Sequence, residues 1–278
     1  MDEVKRLQTL SRREPAGVTP AARPRDWAHG LRALALVLAR AALVVGLWAL
    51  VVALGDYPVV ILPSPARVAQ EFVLAVTRGQ LLDHLQATLI EVALGLALGV
   101  AVAAVLGYLL AHSLPLERFL APYLVASQAL PAVAIAPLLY IWFGTGLTTK
   151  VLVCALIVFF PVLINTIVGL RAVERDLRDL MRSLRATRWQ TFRALELPAA
   201  LPVVLGGLKV GATLSVIGAI VGELQGGENR GLWFYTNYGL THYDTPQVFV
   251  GLLMMMALAL ALYGGVSLLE RRVLRWRG

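Results

Sequence analysis

Six apolar runs, each about the length a helix needs to cross a bilayer, dominate this chain: residues 31–54, 85–111, 119–143, 151–170, 199–221 and 248–268. Hydrocarbon offers no partner for backbone N–H and C=O groups, so a spanning segment must satisfy them internally as a helix or join a closed barrel. Barrel strands need only about ten residues, whereas a helix needs about 20. The runs therefore predict an all-α, polytopic membrane protein with six transmembrane helices over 31–278, preceded by an N-terminal extension at 1–30. That extension is polar, carries Pro15, Pro20 and Pro24, and has no apolar core of a signal peptide. It reads as a flexible cytosolic segment with a short helix at 3–10.

Composition agrees. The chain is 58% hydrophobic and 15% charged, against about 25% charged in soluble domains. The net charge of +8 suggests nucleic acid only until its distribution is read. Basic residues crowd the N-terminal extension, Arg118, the 171–193 segment and the C-terminal tail, while the alternate connections keep only Arg67, Arg78, Lys150 and Arg230. This is the positive-inside asymmetry. It predicts both termini and the fourth-to-fifth connection in the cytoplasm, in a bacterial inner membrane, and no nucleic-acid partner. The lone Cys154 and the scattered His29, His84, His112 and His242 give neither a disulfide nor metal-ligand spacing. No GxxxxGK[ST] phosphate loop is present, so ATP energy would have to enter through another chain.

After the first span, Pro63-Ser64-Pro65 forms a rigid turn, and Ser64 or Pro65 starts a helix with Val68, Phe72, Ala75 and Val76 as its apolar positions. That helix lies either on the outer membrane face or against the bundle. GxxxG pairs, Gly95/Gly99, Gly207/Gly211 and Gly218/Gly222, mark close helix packing or a subunit interface. Polar residues at membrane depth are Arg40, Glu91, Asn165, Lys209 and Glu223, with a Glu91–Lys209 pair as one expectation. Pro122, Pro131 and Pro137 break the third span, leaving carbonyls free to line a cavity near Gln128. The pathway candidates are thus Gln128, Pro131, Pro137, Asn165 and Glu223. The aromatic connection Trp233, Phe234, Tyr235, Tyr238 and Tyr243 is an interface belt or a docking surface for a partner outside.

The connection at 171–197 is too polar to span. Asp176 reads as a helix cap, Leu177, Leu180, Met181 and Leu184 share one face, and arginines occupy most of the rest. Such a helix either binds anionic lipid or docks a cytosolic partner. The segment resembles the cytosolic loop of binding-protein-dependent ATP-binding-cassette permeases, whose pattern is roughly E-A-A, three residues, G, nine residues, I-x-L-P. Asp179, Leu180 and Met181 take the E-A-A positions, Arg185 the glycine, and Leu195, Leu197 and Pro198 the end. LPSPARV, LPAVAIAPLLYIWFGTG, FFPVLINTIVGL and GELQGG follow in the order seen in the branch importing sulfonates, taurine, nitrate and thiamine or riboflavin precursors.

The resemblance implies a membrane-spanning permease subunit, not an enzyme, forming a pathway for a small organic solute or oxyanion. It implies two ATPase subunits holding ATP and Mg, a second permease copy or paralogue, and an extracytoplasmic substrate-binding protein, with no cofactor on this chain. It makes 171–197 a coupling loop, with Met181, Leu184, Ala186 and Trp189 as apolar contacts to the ATPase and Asp179, Arg182, Arg185 and Arg188 as polar ones. At the glycine position either Arg185 adopts positive φ, at about 1 kcal/mol, or the turn is drawn differently. A gradient-driven carrier and a membrane-embedded enzyme are the alternatives.

Overall fold

A computed structural model describes residues 27–225 and 229–275, and every regular element among them is helical. The N-terminal extension, with its expected helix at 3–10, lies outside the described residues. The chain forms two units, 1–55 and 56–278. The first contributes α1 (Trp27–Gly55), whose stretch Leu38–Gly55 is long and apolar enough to cross a membrane. Leu43, Val44, Leu47 and Leu54 are all exposed within its own unit. A helix apolar on every side belongs in lipid or against other spans. Arg40 lies on this helix and is exposed.

The second unit holds α2 (Pro65–Thr77), α3 (Gln80–His112), α4 (Leu114–Ala129), α5 (Ala132–Phe143), α6 (Leu147–Arg171), α7 (Arg175–Ser183), α8 (Arg188–Thr191), α9 (Leu197–Gln225), α10 (Leu232–Thr241) and α11 (Thr245–Val273). A π turn, Phe192–Glu196, joins α8 to α9 in one rod, Arg188–Gln225. With α1, the helices α3, α6, the α8–α9 rod and α11 are five candidate spans. The pair α4–α5 makes a sixth if taken as one bent crossing. At 1.5 Å per residue, α3 is about 50 Å long. That is longer than the roughly 30 Å hydrocarbon core of a bilayer, and the helix begins five residues before the apolar run read from the sequence.

The third apolar run breaks at one proline. Leu130 is extended (φ −81°, ψ 120°), as a residue before proline prefers, and α4 and α5 meet at 98°. Pro122 and Pro137, expected to break the run as well, sit inside continuous helices. Each removes one donor from the ladder, which a packed membrane helix tolerates. At α5 the Tyr140 hydroxyl also donates to the Gly222 carbonyl of α9, tethering that helix.

The core is α6 packed between α3 and α9. Glycine makes this possible. Cys154 lies between Gly95 of α3 and Gly218 of α9. A Cβ at Gly95 would collide with the Cys154 side chain, and one at Gly218 would come 2.7 Å from its Cα. Gly99, Gly107, Gly207, Gly211 and Gly222 abut α6 in the same way. The GxxxG faces are thus spent inside this chain rather than at a subunit interface. Close backbones gain dispersion where hydrocarbon gives no hydrophobic drive.

Ser64 caps α2, its hydroxyl accepting from Arg67 N at 3.4 Å, with Pro65 at the first helical position. Val68 and Ala75 are buried as α2 packs against α11 and α3, while Phe72 stays exposed. The helix is thus bound to the bundle through one narrow face.

Candidate functional site

The hairpin between α6 and α9 carries the residues singled out for partner contact. Helix α7 is only nine residues long and includes Arg175, Asp176, Arg178, Asp179 and Arg182. Its cap is Glu174, not Asp176, which falls in the first turn and meets the positive end of the helix dipole there. Leu177, Leu180 and Leu184 are exposed along one side at 42%, 54% and 68%. Leu177 and Leu180, which stand outside the contact set that the family pattern implies, are thus exposed beside Leu184. Met181 and Ala186 are half-buried.

The turn after α7 settles the glycine position. Arg185 has φ 53°. Its N–H donates to the Arg182 carbonyl at 2.9 Å, and the Ala186 N–H donates to the Met181 carbonyl at 3.0 Å. Those two bonds form a Schellman closure, whose left-handed residue is usually glycine. The fold keeps the turn and lets an arginine hold it. Thr187 then restarts the helix with a capping box: its hydroxyl accepts from Gln190 N, and its own N–H donates to Gln190 Oε1. Arg182 pairs with Asp179 at 2.8 Å. Arg188 and Trp189 begin α8, and Trp189 stacks on Phe192.

A node unmarked in the sequence ties this hairpin to the spans. Glu196, in the π turn, is 5% exposed. Its oxygens lie 2.9 and 3.1 Å from His112 Nε2, at the end of α3. Arg178 of α7 lies 3.8 Å away and donates to the Leu170 carbonyl of α6 at 2.6 Å. Nearby, Arg171 grips Glu117 of α4 through its two terminal guanidinium nitrogens, Nη1 and Nη2, and Nη2 also donates to the Leu110 carbonyl. Sequence offered no signal for this cluster, because His112 and Glu196 are 84 positions apart.

At the far end of the bundle, three side chains cap α10. The Gly231, Leu232 and Trp233 N–H groups donate to His84 Nδ1, Thr88 Oγ1 and Glu223 Oε2 at 3.1, 2.8 and 2.6 Å. The Thr88 hydroxyl donates to Glu223 Oε1. A carboxylate at a helix N-terminus satisfies orphan donors and meets the favourable end of the dipole. Gly231 has φ 120°, and a Cβ there would run into the Glu223 carboxylate. Alongside, Glu91 pairs with Lys150 at 2.8 Å, both at most 2% exposed. This corrects two expectations: Glu91 does not pair with Lys209, and Lys150 is no residue of an exposed connection. Lys209 pairs instead with Glu270 of α11.

The pathway candidates are not brought to one cavity. Gln128 lines a cavity of about 220 Å³ beside the bend, with Leu130, Ile135, Leu156 and Phe160. Pro131 forms the bend itself, and Pro137 lies within α5. Asn165 bonds back to the Pro161 carbonyl at 2.8 Å, with Gly207 of α9 against its Cβ. Glu223 is 5% exposed within the α10 cap. Of the aromatic connection, Tyr235 is buried, and Tyr238 and Tyr243 are exposed at 49% and 77%. Burial pushes the Tyr235 hydroxyl well above its usual range.

The sequence profile described as "Binding-protein-dependent transport system inner membrane component" matches residues 95–275, from the α3 glycines through the hairpin to the end of α11. The chain belongs to that family. It is accordingly a membrane-spanning permease subunit of a binding-protein-dependent transport system. The riboflavin transport system permease protein RibX of Chloroflexus aurantiacus is 46% identical over 229 residues, covering 82% of this chain and 85% of that one. The formylaminopyrimidine transport permease protein ThiX of Halalkalibacterium halodurans is 36% identical over 217 residues, covering 78% and 86%. Among solved structures, a chain of the inward-facing MetNI methionine ABC transporter aligns with a TM-score of 0.61 at 18% identity, over 68% of this chain and 94% of that one. That likeness bears on the fold, which is shared with a chain of an ABC transporter.

Proposed function

We propose that this permease pairs with a second copy or a paralogue to form the pathway of an ATP-driven importer, and that its α7–α8 hairpin docks a separate ATPase subunit. One observation carries the docking: Leu177, Leu180 and Leu184 lie exposed along a helix too short and too charged to enter the bilayer. Their spacing of three and four residues makes a single ridge, which fits an apolar groove on a soluble partner. Asp179, Met181, Arg182, Arg185 and Ala186 flank that ridge. Motion passed to α7 would reach α3 and α9 through Arg178, Glu196 and His112, so the node is where docking becomes movement of the spans. Two ATPase subunits would hold ATP and Mg, and this chain would hold no cofactor. The arginine asymmetry supports both termini and the hairpin in the cytoplasm, with the capped α10 facing a substrate-binding protein outside.

The cargo is proposed to be a planar heterocycle of the flavin or aminopyrimidine kind, on the 46% and 36% identities to riboflavin and formylaminopyrimidine permeases. The test is purification of the full chain with its companions, with ATP hydrolysis followed on adding a cargo-loaded binding protein. A co-purifying ATPase stimulated by loaded protein, and uncoupled by Leu184→Asp, is expected. Retention of stimulation in both Leu184→Asp and Leu180→Asp would overturn the docking assignment. Uptake of labelled riboflavin in proteoliposomes tests the cargo separately.

A further inference from the structure

Two neighbouring cavities at the hairpin end of the bundle share Tyr108, Leu109 and Arg188. The first, of about 620 Å³, is walled almost entirely by carbon, including Val105, Leu170, Leu197 and Trp189. The second, of about 760 Å³, is lined by Arg178, Arg182, Arg188 and His112. Both sit at one level. Tyr108, Leu109 and His112 are in the last turn of α3, Leu170 is at the end of α6, and Leu197 opens α9. An apolar chamber thus adjoins a basic one at the hairpin end of the spans, where the apolar runs of α3 and α6 give way to the charged segment.

The charges in the second chamber do not cancel. Its carboxylate, Glu196, is already engaged by His112 and Arg178. Arg182 is held by Asp179. Arg188 is exposed, has no ion pair among those formed by the described residues, and borders both chambers. Guanidinium groups present forked donors suited to phosphate oxygens. Trp189 beside it is 66% exposed, an amphipathic ring of the kind that settles at the headgroup level.

We infer that these joined chambers bind an anionic phospholipid, with an acyl chain in the apolar one and the phosphate on Arg188 and its neighbouring arginines. Free phosphate satisfies the arginines but leaves the larger part of the apolar wall uncovered. A zwitterionic lipid fills the chamber but brings a cation to a basic rim. Only an anionic lipid matches both. The site places Arg188 and Trp189, assigned from the family pattern to the ATPase, toward lipid instead, and leaves the leucine ridge of α7 for the partner. The inference takes the leaflet from the orientation proposed above but does not require any ATPase to bind.

The experiment uses the full chain in nanodiscs of phosphatidylcholine and phosphatidylglycerol, with bound lipid counted by native mass spectrometry after release into detergent. Preferential retention of phosphatidylglycerol is expected. Arg188→Gln should lower that preference about fivefold, the surface attraction of one basic residue for an anionic leaflet. Ala104→Phe, which fills the apolar chamber and alters no charge, should lower retention as well, with Val204→Phe as the second filling variant if the first does not fold. Excess inorganic phosphate should not displace the lipid. Equal retention of both lipids overturns the inference. So does an effect of Arg188→Gln with none from either filling variant, which means diffuse surface attraction, or displacement by inorganic phosphate. A photoreactive residue at Leu109 that labels a second copy of the chain in place of lipid assigns the chamber to a subunit interface and likewise overturns it.

Discussion

Replacing Arg185 by glycine should stiffen the hairpin. Arg185 holds φ 53°, a region where a Cβ crowds the following carbonyl. The left-handed conformation costs an ordinary residue about 1–2 kcal/mol, and glycine escapes that cost but surrenders about 0.5–1 kcal/mol more backbone entropy on ordering. The net gain is about 0.5–1 kcal/mol, or about twofold to fivefold in the local opening equilibrium. The amides that report it are those of residue 185 and Ala186, which donate to the Arg182 and Met181 carbonyls. Hydrogen exchange on the full chain in nanodiscs, corrected for intrinsic rates, should show both protected about twofold to fivefold more in Arg185→Gly, with the spans unchanged. Arg185→Val should move the same amides the other way, because a β-branched residue tolerates this region worse still. Unchanged protection in the glycine variant, together with wild-type behaviour of the valine variant, would refute the left-handed closure.

Removing one member of the buried pair strands the other. Lys150→Met leaves the Glu91 carboxylate buried and should cost about 3–5 kcal/mol, seen as a large fall in the thermal midpoint in detergent, with partial recovery on adding Glu91→Gln. A neutral effect of Lys150→Met would remove the pair from the account of stability. At Gly218 the added Cβ of a valine meets the Cys154 backbone 2.7 Å away. Gly218→Val should therefore destabilise by about 1–3 kcal/mol, whereas Gly264→Ala, with nothing within 4 Å of its added Cβ, should leave the midpoint unchanged or raise it. On α2, burial and the nearby Asp244 hold the Glu71 carboxyl above its ordinary 4.5, against a smaller pull from Arg78. A raised folded-state pKa favours the fold at acid pH and loses that contribution as pH rises through it. Glu71→Gln should accordingly raise the thermal midpoint at pH 7 and make no difference near pH 4, and a pH-independent effect would place its cause in packing.

Much of the architecture was legible because lipid leaves a chain few choices. Apolar runs of span length can only be helices there, so the all-α class and the central spans follow from hydropathy. The Ser64-Pro65 helix start and the break at Pro131 follow from local geometry that acts within one or two residues. The left-handed turn at Arg185 was legible only as one of two drawings. The GxxxG glycines announced close packing, but whether they packed within the chain or between chains depended on which helix faced them.

Partner identity was decided in three dimensions. The pairing of Glu91 with Lys150 rather than Lys209, the clasp of Thr88 and Glu223 on α10, and the bond of His112 to Glu196 join residues 59 to 144 positions apart. Each helix turns about 100° per residue, so a slip of one residue in the packing of α3 against α6 or α9 would present different side chains. Hydropathy fixes which segments enter the membrane. The rotation of each helix about its own axis, set by where glycine lets backbones approach, fixes which buried charge meets which.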